Sequence, residues 1–342
     1  MSATPQPQFL RRYELVIGSG ASAITISSDG EPGALEIVFQ VRQVMQTIWS
    51  AYICVYNLNE QTANSVVKQT FAAPITNSGT QPPTIQQGLS VTLSAGYYGQ
   101  GANYGVIWEG NVIQVAWERE AQTDFKLTLN CLVNLSPDGM ARNPIKFASA
   151  AALNQQQVLE GLVKNCFHPI QLGVVTPNLS TTTLPRGKVM FGSPRKYLNE
   201  FARNNNTQHW LGDKGALNVA NLLADLPQHP TPDVTLTPTT GIIGTPRQIQ
   251  GGVSFRTLMN PNIYLSNPPR YVKLDQTQIS ALLYSYGVLP SILAQSGVYA
   301  VVDVTYTGDT RGQDWYTDVT GLICGAERVA MTEVANAYLL GS

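Results

Sequence analysis

Apolar and polar residues alternate through three runs between Gly88 and Asn134. In the first, Val91, Leu93, Ala95 and Tyr97 share one face and Ser90, Thr92 and Ser94 the other, because successive strand side chains point to opposite sides. The last run sets Phe125, Leu127, Leu129, Cys131 and Val133 against Lys126, Thr128 and Asn130. The middle run, Val106 to Arg119, is rich in β-branched and aromatic residues that suit a pleated surface. An antiparallel meander is expected, with GYYGQGANYG as a hairpin tip where glycine permits positive φ.

Upstream, Tyr13 to Gly18 and Ala23 to Ser28 read as a hairpin, and Leu35 to Met45 as a third strand with Leu35, Ile37, Phe39 and Val41 on one face. Ile48 to Leu58 is almost continuously apolar and aromatic. It is either a central strand or a strand covered by another subunit. Glu60 to Val67 then reads as a short helix with Asn59 as its N-cap.

From Ala141 the period changes. Leu159, Leu162, Val163, Cys166 and Phe167 predict a helix over Leu153 to Phe167, stopped by His168-Pro169. A second helix starts at Ser193-Pro194 and turns Tyr197, Leu198, Phe201 and Ala202 inward. KVMFG between them is a short strand, and HWLGDKGALNVAN a hairpin turning at Gly212 to Gly215. Four prolines make Asp225 to Pro238 an extended linker, the site expected to be most open to proteases. Beyond it come strands at Val253 to Leu258, Tyr271 to Leu274, Val298 to Thr307 and Trp315 to Cys324. The last two form a long hairpin with Val298, Ala300, Val302, Val304 and Tyr306 on one face. The apolar insert 276–296 is either a helix that meets a partner or a loop packed on its own domain.

The strings VYNLNEQTANSVV, SVTLSAGYYG and GVIWEGNVIQV resemble the first domain of baseplate hub proteins of contractile-tailed bacteriophages. TGIIGTP, GVSFRTLMNPNI and YVKLD, in that order, resemble the later barrel domain of the same family, which is related to the hub part of VgrG-type spike proteins. Pro268-Pro269 departs from the family's Pro-Gly turn. The resemblance implies a mainly β chain with an α/β insert, in which two tail-tube-like β-barrel domains, 1–140 and 236–342, flank a small α/β domain and linker, 141–235. It further implies a homotrimer whose six barrels form a ring. The ring's partners are a tail tube protein, a central spike protein and DNA that passes without specific binding. Such a protein belongs to the virion tail baseplate and is assembled in the host cytoplasm.

Composition fits a subunit. Charged residues are 13% of the chain, about half the usual share, so a monomer of this mass would carry roughly one charge per 300 Å². Either the surface is coated with uncharged polar residues or neighbours cover much of it. With its share of apolar and aromatic residues, Ile48 to Leu58 supplies the candidate contacts Trp49 and Tyr52. A formal net charge of -1 argues against a sequence-reading DNA binder. Cys54, Cys131, Cys166 and Cys324 show no paired spacing and are expected as buried thiols. No run is long enough to span a membrane, and the N-terminal MSATPQPQ lacks the features of a signal peptide.

Catalytic chemistry has little support. His168, His209 and His229 stand apart, with no HExxH, cysteine pair or GxSxG elbow, so no metal or other cofactor is expected. The glycines of GYYGQGANYG miss the third spacing of a dinucleotide fingerprint. Two alternatives to a structural role are retained. A peptidoglycan hydrolase would draw its paired acids from Glu109 and Glu118 or Asp303 and Asp309, and a carbohydrate-binding tail protein would expose Trp49, Trp108, Trp117 and Trp315.

Overall fold

A computed structural model describes residues 9–28, 34–45, 48–71, 89–99, 103–133, 145–148, 151–166, 170–176, 179–211, 216–221, 230–249, 251–266, 268–275, 279, 294 and 296–324. The opening segment contains β1 (Phe9–Ile17), β2 (Ile24–Ser27), β3 (Ile37–Val44), β4 (Ser50–Tyr56), α1 (Glu60–Phe71), β5 (Ser90–Tyr98), β6 (Tyr104–Arg119) and β7 (Phe125–Leu132). The middle segment follows with β8 (Ile145–Ala148), α2 (Gln155–Cys166), β9 (Leu172–Val175), β10 (Val189–Gly192), α3 (Pro194–Asn204), β11 (Gln208–Leu211) and β12 (Leu217–Ala220). Last come β13 (Val234–Leu236), β14 (Ile242–Ile249), β15 (Gly252–Leu258), β16 (Tyr271–Leu274), β17 (Val298–Asp309) and β18 (Trp315–Ile323).

The opening and closing segments share one 13-stranded sheet in the order β14-β15-β18-β17-β3-β4-β7-β6-β5-β1-β2, with β16 beside β17 and β13 beside β16. They join where β17 pairs antiparallel with β3, from Asp303↔Val44 to Asp309↔Val38. One face of this sheet is apolar. Phe255, Val319, Val304, Tyr306, Phe39, Val41, Ile53, Val55, Leu127 and Leu129 are all nearly or wholly buried on it. At about 1.5–3 kcal/mol for each large side chain taken out of water, this layer dominates the fold's stabilisation.

Links between side chains and backbone lock the joint. Arg11 donates to the carbonyls of Asp309, Gly312 and Gln313, and the Trp315 indole N–H donates to Gly96 O at 3.1 Å. Leu265 N–H donates to Gln43 Oε1 at 2.9 Å, and the Tyr306 hydroxyl to Ile263 O at 2.7 Å. The hairpin tip at Gly96 needs glycine, since a Cβ there would lie 1.9 Å from Asn103 O.

The helices start as their sequences direct. Asn59 Oδ1 accepts Gln61 N–H at 2.8 Å ahead of α1, whose Ala63 and Val66 are fully buried. Asn154 and Gln157 cap α2 reciprocally, each side-chain oxygen accepting the other's backbone N–H at 2.9 and 3.0 Å. Ser193 sits at the α3 N-cap without a side-chain bond, and Pro194 follows it. The middle segment adds the ribbon β10-β8 and the sheet β11-β12-β9, in which β12 and β9 run parallel.

Two expectations change. The Asp225–Pro238 stretch is not wholly free of the sheet: Val234–Leu236 pairs in parallel with β16, and the Asp233 carboxylate accepts Arg270 Nη1 and Tyr271 N–H, each at 2.8 Å. Residues 225–229 lie outside the described residues, as does the insert 276–296 apart from Ile279, Ala294 and Ser296. In β17 the simple alternation fails, because a register shift between Val301 and Asp303 exchanges the faces. Tyr299 and Val301 therefore join the main core with Val304 and Tyr306, while Val298 and Ala300 pack with Tyr271 and Cys324.

Candidate functional site

The feature that sets this molecule apart is the other face of its main sheet. Across β15, β18, β17, β3, β4, β7 and β6 the paired positions form continuous rows. One row runs Arg256, Asp318, Thr305, Arg42, Ser50, Leu132, Asn111, and the next Leu258, Tyr316, Thr307, Gln40, Tyr52, Asn130, Gln114. Nearly all of these side chains are hydroxyl, amide or charged, and none of these fourteen positions is buried. A seven-strand stretch that keeps one apolar face packed and one polar face open is a wall rather than a pocket.

Charges on the wall are locally balanced. Arg256 clasps Asp318 through two hydrogen bonds of 2.7 and 3.0 Å and stacks its guanidinium 3.7 Å from the Tyr316 ring centroid. Lys126 lies 3.8 Å from Glu118 and 3.2 Å from Glu120. Asp303 has its carboxyl pKa raised by burial, against the lowering pull of Arg42. Between these pairs run neutral contacts, such as Asn130 Nδ2 donating to Gln114 Oε1 at 3.2 Å. Cys54 and Thr128 touch at 3.7 Å beneath the wall's surface.

Within the wall a four-strand pattern occurs twice. β14-β15-β18-β17 and β3-β4-β7-β6 follow the same path, each a hairpin beside a longer hairpin. β18 and β7 match residue for residue: Thr317, Val319 and Gly321 point inward where Leu127, Leu129 and Cys131 do, and each strand follows a five-residue turn, 310–314 or 120–124. The hairpins sit at the same end of the sheet, since four antiparallel steps separate β18 from β7.

The candidate contact residues separate. Tyr52 stands on the open wall with 42% of its surface exposed. Trp49 is 5% exposed and packs in the chain's own core, its indole nitrogen buried without an acceptor. Ile48 to Leu58 is apolar because β4 is a central strand between β3 and β7, so its inward residues need no second subunit to cover them.

The alternatives lose their residues. Trp108 and Trp315 are 2% and 4% exposed, and Trp117 is part-buried and stacked on Phe125, so the tryptophans form no open aromatic platform. Glu109 and Glu118 are nine positions apart on β6, roughly 30 Å along a strand, and Asp303 and Asp309 are roughly 20 Å apart on β17. Neither pair meets the separation glycoside hydrolysis needs. Cys54, Cys131 and Cys324 are buried free thiols, and burial pushes Cys131 up to about 12. His209 has its pKa lowered by burial and by Arg195, while His168 and His229 lie outside the described residues. Among the described residues no group of three or more His, Cys, Asp or Glu is placed to hold a metal ion. None of their helices is long and apolar enough to cross a membrane.

Comparison with known proteins bears on the fold. No protein-family model and no curated protein matches the sequence. Among solved structures, a tail protein from Neisseria meningitidis MC58 aligns with TM-score 0.53 and 10% identity over 91% of this chain and 96% of its own. The chain has the fold of a phage tail protein. The 43 kDa tail protein of prophage MuSo2 from Shewanella oneidensis aligns with TM-score 0.52 and 8% identity over 91% and 98%. A Francisella PdpA–VgrG complex contributes a further match, with TM-score 0.50 and 8% identity over 92% of this chain and 58% of that one. The tail-protein fold therefore extends over most of the chain.

The repeated unit was within reach of the sequence. QTDFKLTLNCLV and GQDWYTDVTGLI share an aspartate, an aromatic residue and then strict alternation. Their few identities hide the repeat, because strand pairing constrains the face of each residue and leaves its type open.

Proposed function

We propose that this protein is the structural hub of a phage tail baseplate, a homotrimer in which six four-stranded units form a ring. The observation that carries the reading is the doubled unit with one polar, open face. Three chains with two units each supply six quasi-equivalent positions, and a cyclic arrangement leaves no unit at an unmatched end. Such a ring converts the threefold symmetry of a central spike to the sixfold symmetry of a tail tube. Its activity is geometric matching, without catalysis.

The open wall lines the channel in this arrangement. DNA passing along it meets hydroxyl and amide side chains and paired charges, so the phosphates find little net attraction. Tyr52 belongs to this wall. The two domains expected at 1–140 and 236–342 are the unit pairs of the ring, with the 141–235 segment on its flank. The protein acts in the virion tail after assembly in the host cytoplasm, between tube and spike.

Duplex DNA binding by the purified protein tests the passive wall. Weak binding even at low salt is expected. Submicromolar binding that collapses as salt rises would contradict it.

A further inference from the structure

Charge is divided unevenly along the chain. Residues 141–235 carry nine Lys and Arg against five Asp and Glu, whereas 1–140 carry six against ten and 236–342 six against seven. The formal net charge of -1 therefore hides a basic middle segment beside an acidic opening one. In the middle segment Lys188 pairs with Glu200 at 3.0 Å, while Arg186, Arg195, Lys196 and Arg203 are exposed and enter no ion pair among the described residues.

An apolar face lies among these cations. Val189 is 76% exposed and Phe191 65%, and strand alternation puts both on one side of β10, with Met190 turned inward between them. The face is held in place by α3. Phe191 N–H donates to the Tyr197 hydroxyl at 2.8 Å, and that hydroxyl donates to Phe191 O at 2.9 Å. Lys196, Glu200 and Arg203 share one stripe of α3 at four- and three-residue spacing, and Glu200 reaches Lys188, the residue before Val189, so this stripe runs beside β10. Two large apolar side chains held open to water with cations around them have the anatomy of a protein contact, an apolar centre within a charged rim. A phosphate backbone calls for an unbroken row of cations, and here Val189 and Phe191 interrupt it.

The acidic opening segment offers the matching chemistry. At the start of β7 Phe125 is 38% exposed and stacks on Trp117 of β6. Its cross-strand partner is Arg119, and the residues on either side of that arginine, Glu118 and Glu120, are exposed.

Resting on the trimeric reading, we propose that the Val189–Phe191 face of one copy docks on the β6–β7 hairpin of a neighbouring copy. Phe191 meets Phe125 of that copy, and Lys196 faces its Glu118 and Glu120. Opposite charge sets the orientation and speeds the encounter, and the two phenylalanines supply the apolar centre. The contact is heterologous, since different surfaces meet, so it repeats around a threefold axis.

Zero-length carbodiimide coupling of amines to carboxylates, in a mixture of isotope-labelled and unlabelled protein, reads this contact. Lys196 should join Glu118 or Glu120 in peptides with one labelled and one unlabelled half. Phe191→Ser should weaken self-association about tenfold or more, as loss of a central aromatic anchor does. Lys196→Glu should weaken it less, and Glu118→Lys in the same chain should restore part of that loss. In the dilute monomer neither Phe191→Ser nor Lys196→Glu should move the melting temperature, because both side chains are exposed. If native mass shows three copies while Lys196 links only within one isotope, or Phe191→Ser leaves self-association unchanged, the docking is wrong and the hub reading stands. Duplex DNA or anionic vesicles that bind the wild type and are lost with the same two variants would show another occupant and overturn it as well. If high protein concentration yields neither oligomers nor mixed-isotope links, both readings fall.

Discussion

β7 and β18 hold the same place in the two units, yet β7 turns Lys126, Asn130 and a buried Thr128 to the wall side where β18 turns Tyr316, Asp318 and Thr320. The inward residues remain small or apolar in both, because each must fill the same space against the core. The larger difference lies at the seams. The internal seam pairs two neutral residues, Thr307 and Gln40, and ties its strands together within one chain. The equivalent positions on the outer strands of the two units, Glu118 on β6 and Arg247 on β14, are instead charged and exposed.

The strongest way to break this comparison is to weaken the internal seam. Phe39, 1% exposed, lies edge-on to Trp315 at 5.4 Å on the buried side of β3. Phe39→Ala should cost about 3–5 kcal/mol and shift both halves of the sheet together in urea unfolding. Two separate transitions, only one of them moved, would show that the halves are not one folding unit.

A smaller test contrasts equivalent positions. A Cβ on Gly308 would lie 2.2 Å from the Phe39 ring, so Gly308→Ala should cost about 1–3 kcal/mol through overpacking. Its counterpart in the other unit is Arg119, exposed at the end of β6, where Arg119→Ala should change stability by no more than about 0.5 kcal/mol. Equal costs at the two sites, measured by thermal unfolding, would undo the distinction between the internal seam and the outer end of β6.

On the wall itself the effects should be slight. Arg256 and Asp318 are 44% and 40% exposed, so a double-mutant cycle should give a coupling of about 0.2–1 kcal/mol despite the two-pronged geometry. Asp303 has its folded pKa raised, so its charged form disfavours folding, and stability is lost as pH rises through that pKa. Asp303→Asn should therefore raise the melting temperature at pH 7 and lose that advantage as pH falls below the usual aspartate range. An unchanged difference across that window would mean Arg42 offsets the burial.

Much of the fold was legible from periodicity alone. The opening strands, the meander, the three helices and the long final hairpin follow from alternation, from the caps Asn59 and Asn154, and from Ser193-Pro194. What local pattern could not reveal was pairing between distant strands. Nothing near Val38 to Val44 announces β17 as its neighbour, since backbone hydrogen bonds carry no residue code. The same gap hid the bulge at Val302, which takes one extra residue to turn a strand over. The wall was invisible for a related reason: its hydroxyl and amide residues look like any solvated face until the rows align.

Counting copies tests the central claim most directly. Native mass spectrometry of the protein at assembly concentration, paired with rotationally averaged electron micrographs, should show three chains in a closed ring with six similar lobes around an open channel. Six copies, or a single chain with no ring at any concentration, would contradict the account.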